Sequence, residues 1–247
     1  MPETQANKSQ ADGALHIDRH AKGSSPLGSA TFVALRILDP ILQYAILSPD
    51  YALGDRLVRL SGGTPLASES SAVSLGLSPW RLTLLGMSLL GSVKGIFYLV
   101  YVSEMKMPLV TGFVVGLFKA FSTTANSLLF CATATSAAST YAPDPSTGWH
   151  PILSIAWTVY VVGIGVETYA ELQRRAFKKD RRNRRKAYTA GLFRLARHIN
   201  YGGYTLWKAA VGLTAAGWWW SGLTLVWLMA EFRRRGIPGL DAYCQER

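Results

Sequence analysis

Cysteine is scarce in this sequence, two residues in 247. Cys131 falls in an apolar segment and Cys244 close to the C-terminus, so neither a disulfide framework nor a cysteine-based metal pattern is present. Signatures of soluble catalysis and nucleotide binding are missing as well: there is no Walker loop, no zinc-ligand spacing and no Ser-His-Asp order. The one Gly-x-Gly of the central region, Gly163-Ile164-Gly165, lies inside an apolar run and follows no strand, which excludes a Rossmann fingerprint. Acidic residues are few, 15 against 26 Lys and Arg, leaving a formal charge of +11. The cations gather in one loop and at Arg233–Arg235, as at the flanks of membrane spans, and not over a fold as in a nucleic-acid-binding face. Residues 1–30 are polar, lack the charged-then-apolar layout of a signal peptide, and are expected to form a disordered cytosolic tail.

What the chain has in abundance is apolar sequence: 49% of residues are hydrophobic and 17% charged, in blocks too long for ordinary core helices. The fold class expected is all-α, a polytopic integral membrane bundle of about six transmembrane helices with a helical hairpin at the C-terminus. A first span over 31–48 is interrupted by Arg36, Asp39 and Pro40, which makes it either a kinked span or an interfacial helix. Residues 49–79 read as a loop. The second span runs from Trp80 to Val102 and the third from Pro108 to Ala137. They carry Lys94 and Lys119, which must face the bundle interior or snorkel. Gly91/Gly95 and Gly112/Gly116 are small-residue pairs that permit close helix approach. A fourth span covers Pro151 to Glu171, and 201–232 folds into a hairpin with Trp218-Trp219-Trp220 at the far interface. The domain division expected is 1–30 tail, 31–145 N-terminal spans with a substrate cavity, and 146–247 cofactor-binding membrane domain. Alternation from a cytoplasmic basic loop puts both termini in the cytoplasm; oligomeric state is open.

Residues 163–208 organise the chain. Glu167 and Glu171 lie one helical turn apart, with Arg174 and Lys178 continuing the same face. Nine Arg or Lys and one acid, Asp180, lie between Arg174 and Lys186. Such a run either grips a polyanion or serves as a stop-transfer flank. Glu167 within a span is either a functional carboxylate or half of an interhelical ion pair with Lys119 or Lys208. Arg194 and Arg197 either join a site or anchor lipid phosphates.

The order Glu167, Glu171, Gln173, Phe177, a basic loop with Asn183 and Lys186, Gly191-Leu192-Phe193, then Arg197-His198-Ile199-Asn200-Tyr201 resembles the C-terminal domain of steroid 5-alpha-reductase-like membrane proteins, sterol C14-reductases included. The resemblance implies a helical bundle in the endoplasmic reticulum membrane. In it NADPH would deliver hydride to a carbon–carbon double bond of a hydrophobic sterol, isoprenoid or related lipid. Carried onto this chain, the cofactor would meet Glu167, Glu171, Arg174, Arg175, Lys178, Asn183, Lys186, Arg194, Arg197, Asn200 and Tyr204. A helix starting near Leu192 would present Arg194, Arg197, His198 and Tyr201 as one patch. Tyr201 and His198 are the catalytic candidates, with Tyr98, Tyr101 and Glu104 as further proton donors. Ile199 replaces the family's Pro, Tyr204 stands at a position usually held by a carboxylate, and the sequence stops at Arg247, where relatives continue. A membrane methyltransferase of the isoprenylcysteine or phospholipid type, using S-adenosylmethionine, shares the Arg-His-x-x-Tyr element and is the alternative. A non-catalytic membrane relative is a third reading.

Overall fold

The computed structural model describes residues 23, 25–67, 73–103, 106–183 and 186–238. Most of the expected 1–30 tail, Glu104, Arg184, Arg185, Cys244 and the C-terminal segment 239–247 lie outside them.

The apolar blocks become helices. In order these are α1 (Pro26–Leu47), the short α2 (Leu53–Leu60), α3 (Pro79–Phe97, prolonged by a π-turn Tyr98–Val102), α4 (Leu109–Cys131), the single turn α5 (Ala137–Thr140), α6 (Pro151–Lys179), α7 (Ile199–Ala216) and α8 (Trp218–Glu231, prolonged by a π-turn Phe232–Gly236). Four of them, α1, α3, α4 and α6, are long and apolar enough to cross a membrane, and the chain is an all-α polytopic membrane bundle. α7 and α8 make the expected hairpin. They are 18 and 14 residues long and reverse at Gly217, whose φ of +80° suits a residue without a side chain.

Several elements differ from the sequence expectation. α1 starts at Pro26, five residues before the expected span, and holds Pro40 inside it; Arg36 and Asp39 pair with each other at 2.8 Å, buried. The 49–79 stretch contains α2, whose Val58 is buried while Arg56 and Arg59 point away; eight residues are too few for an apolar block to reveal. Of the Trp triplet, Trp218 and Trp219 are exposed, but Trp220 turns inward and donates its indole N–H to Asn126 Oδ1 at 2.9 Å.

Contacts fix the helix directions. Thr83, Met87 and Lys94 of α3 meet Trp157, Tyr160 and Glu167 of α6 in rising order, so these two run parallel. Gly163 packs on Trp207 and Glu171 bonds to Asn200, so α6 and α7 are antiparallel. Among the described residues six helices thus alternate, and Lys106, Arg174, Lys178 and Arg233–Arg235 share one end. At the opposite end sits an apolar core built on Leu47, Trp80, Phe130, Leu153 and Tyr160. Close crossings use glycine: a Cβ at Gly116 would lie 2.7 Å from Leu35 Cδ1, and one at Gly203 would lie 2.7 Å from the Glu167 amide nitrogen.

Candidate functional site

The basic end of the bundle holds two carboxylates that α6 carries one turn apart, as their spacing requires. Both are buried. Glu167 forms an ion pair with Lys94 of α3 and accepts the Trp207 indole N–H of α7 at 2.7 Å. This corrects the expected pairing with Lys119 or Lys208. Lys94 faces inward, and the side chain that meets it comes from a parallel helix, which periodicity within one helix does not reveal. Glu171 pairs with Arg174 on its own helix and accepts the Asn200 side-chain N–H at 2.8 Å. The two carboxylates therefore tie α3, α6 and α7 together.

The residues that follow build the loop itself. Gln173 Oε1 accepts the Leu192 amide at 3.0 Å, across 19 residues. Gly191, at φ +58°, brings the backbone so close that any Cβ would strike the Gln173 amide group. Lys178 Nζ donates to the carbonyls of Asn183 at 3.2 Å and Lys186 at 2.5 Å, while Asn183 Nδ2 donates to the Phe177 carbonyl at 3.3 Å. Phe177, Tyr188 and Phe193 pack in series, the first pair tilted and the second edge-on, with ring centroids 5.0 and 5.6 Å apart. Lys178, Asn183, Gln173 and Gly191 thus shape the loop in this structure.

The expected helix from Leu192 is absent. Gly191–Arg194 is a single 3-10 turn, and α7 begins only at Ile199 with His198 as its N-cap residue. Gln173 holds the Leu192 amide and so fixes the loop in a turn. Arg194 and Arg197 are exposed on this segment, as is Lys186. His198, Tyr201 and Phe232 form a parallel stack, with centroids 5.5 and 4.4 Å apart and planes within 9° and 3°. Tyr204 meets Phe232 edge-on at 5.7 Å. Arg175 lies over the Tyr101 ring at 4.0 Å, and its Nε is buried without an acceptor among the described residues. The structure therefore brings Glu167, Glu171, Arg174 and Asn200 together and sets the His198–Tyr201 stack on the first turn of the same α7. Tyr98 lies beside Lys94, 5.4 Å from its ammonium. Sequence reasoning missed Lys94, Trp207 and Phe232 as members of this region; the intramembrane charge of Lys94 was the one signal that pointed to it.

A family model described as "Protein of unknown function (DUF1295)" matches residues 110–241, just over half of the chain. The chain is similar to the probable O-methyltransferase ustE of Ustilaginoidea virens, 36% identical over 238 residues that cover 94% of this chain and 83% of that protein. That name is a transferase's, in place of the oxidoreductase that the motif resemblance implies. No solved structure matches. On both grounds the chain belongs to the DUF1295 family of steroid 5-alpha-reductase-like membrane proteins.

Proposed function

We propose that this chain is an integral membrane O-methyltransferase that uses S-adenosylmethionine and acts on a hydrophobic acceptor. The observation that carries this reading is the near full-length similarity to a probable O-methyltransferase. It extends over the first spans as well as the motif region, whereas the resemblance to reductases concerns the last third of the chain.

The residues at the basic end fit such a molecule. S-adenosylmethionine supplies an electrophilic methyl group, whose bond to sulfur breaks with the electron pair returning to sulfur as an acceptor oxygen forms its new bond to carbon. Around it, a methionine-type carboxylate would find Arg175, whose buried Nε lacks an acceptor among the described residues. Glu171 is the carboxylate available to an amino group or a ribose hydroxyl, and Asn200 holds it in place at 2.8 Å. The flat stack of His198, Tyr201 and Phe232 offers aromatic surface to a purine ring. Where the acceptor carries a proton, the His198 imidazole at the start of α7 is the base nearest to hand. Beneath them Glu167 joins Lys94 of α3 to Trp207 of α7.

Reduction with NADPH is the rival reading, and it draws on the motif order from Glu167 to Tyr201 and on the density of cations beside it. Titration of the purified chain with each cofactor separates the two. Saturable binding of S-adenosylmethionine with none of NADPH is expected; saturable binding of NADPH alone would replace the proposal with the reductase.

A further inference from the structure

α6 carries marks of its own depth in the bilayer. Trp149, just ahead of its first residue, and Tyr169 near its basic end are both exposed, as aromatic residues are at the two membrane boundaries. Pro151 to Tyr169 measures about 27 Å at ~1.5 Å per residue, close to the ~30 Å of a hydrocarbon core. The boundary at the basic end therefore falls near Tyr169, and Gln173, about one turn of ~5.4 Å further on, lies in the headgroup layer. Gln173 Oε1 accepts the Leu192 amide at 3.0 Å, which fixes the Gly191–Arg194 turn at that same depth.

The residues after the turn are open to their surroundings. Leu195 is 76% exposed, and Arg194 and Arg197 on either side of it are exposed too. The adjoining face of α7 is uncovered: Gly202 and Leu206 are exposed, and a Cβ at Gly202 would meet nothing within 4 Å. The loop ahead of the turn adds exposed Lys179, Arg181, Arg182 and Lys186 against one acid, Asp180. The buried carboxylates Glu167 and Glu171 are taken up by Lys94 and Arg174. An apolar side chain between two guanidinium groups suits the headgroup layer, where it reaches the acyl boundary while its neighbours stay among phosphates.

We infer that the segment Arg194–Arg197 is an interfacial anchor for anionic phospholipid: Leu195 enters the acyl boundary, and Arg194 and Arg197 hold headgroup phosphates. Zwitterionic lipid also offers a phosphate, but its own ammonium group opposes a surface so rich in cations, so lipid of net negative charge is favoured. His198 and Asn200 follow directly, so bound lipid pins the start of α7 beside the His198–Tyr201 stack. Lipid binding here is independent of the reaction proposed above.

The full chain in detergent is titrated with phosphatidylserine and with phosphatidylcholine, and bound lipid is counted by native mass spectrometry. Tighter, saturable binding of phosphatidylserine is expected. Arg194→Gln and Arg197→Gln should each weaken it about fivefold, while Arg56→Gln, exposed at the opposite end, leaves it unchanged. In bilayers of the same lipids, a spin label on Leu195→Cys is read in a Cys244→Ser background, Cys131 being buried. The label should collide with oxygen and not with a water-soluble nickel chelate. Equal binding of the two lipids, Arg→Gln variants that bind like the parent, or a label open to the chelate would each overturn the assignment. A label that meets neither probe would show protein over Leu195 and overturn it as well. Where a Gln variant does not fold, the spin label and the comparison of the two lipids decide.

Discussion

Glu167 shows most directly what single side chains do in this bundle. With Lys94 on one oxygen and the Trp207 indole on the other, it balances a buried ammonium. Glu167→Gln leaves Lys94 charged and uncompensated, and should lower stability by about 3–5 kcal/mol. The double variant Lys94→Met/Glu167→Gln should recover much of that loss, and thermal unfolding of the set in detergent gives the coupling. Arg175→Met should weaken S-adenosylmethionine binding about tenfold, on the worth of one charge-assisted contact, and cost about 0.5–1 kcal/mol of stability through the lost contact with Tyr101; a variant that binds like the parent would remove Arg175 from the site. At the opposite end, Asp144 accepts from the Ser146 hydroxyl at 2.5 Å and from the amides of Thr147 and Ser146, each at 2.9 Å. These bonds, the Ser146 hydroxyl foremost, hold its carboxyl at about 2, below the ordinary 3.8. Because the folded value is the lower, the turn's contribution is complete above pH ~4 and fades as pH falls toward 2. A carboxyl titration by NMR should find that midpoint, and one at the ordinary value would show that the turn does not form.

Among the elements, the α6–α7 crossing is the most sensitive to volume. A Cβ at Gly203 would sit 2.7 Å from backbone atoms of Glu167 and Gly163, whereas one at Gly202 meets nothing within 4 Å. Gly203→Ala should therefore destabilise by roughly 1–3 kcal/mol, and Gly202→Ala should stabilise by up to about 1 kcal/mol by favouring the helix. Melting temperatures that move together would contradict this packing. Neighbouring residues of one type thus have opposite meanings that sequence pattern cannot separate, since only the facing helix distinguishes them. Apolar blocks did declare α1, α3, α4 and α6, and the small-residue pair Gly112/Gly116 does lie where α1 approaches α4. The start of α7 was not legible, because the Gln173 side chain that fixes Leu192 acts across 19 residues. Nor was the Glu167 partner, for a wheel drawn on one helix says which face a carboxylate takes and not which neighbour brings the cation. Glu171 with Arg174 was legible, being a pair three residues apart on one helix.

For the molecule as a whole, six alternating helices among the described residues bring Lys106, Arg174, Lys178 and Arg233–Arg235 to one end, with the buried Glu167 and Glu171 carboxylates close to it. The proposed function has a charged, water-soluble donor meet the basic end, beside Glu171 and Arg175. Photocrosslinking with S-adenosylmethionine tritiated on its methyl group tests this most directly. The account predicts label on peptides spanning Glu171 to Tyr204, lost with excess S-adenosylhomocysteine and kept with excess NADPH. Label confined to other helices, or protection by NADPH in place of S-adenosylhomocysteine, would contradict it.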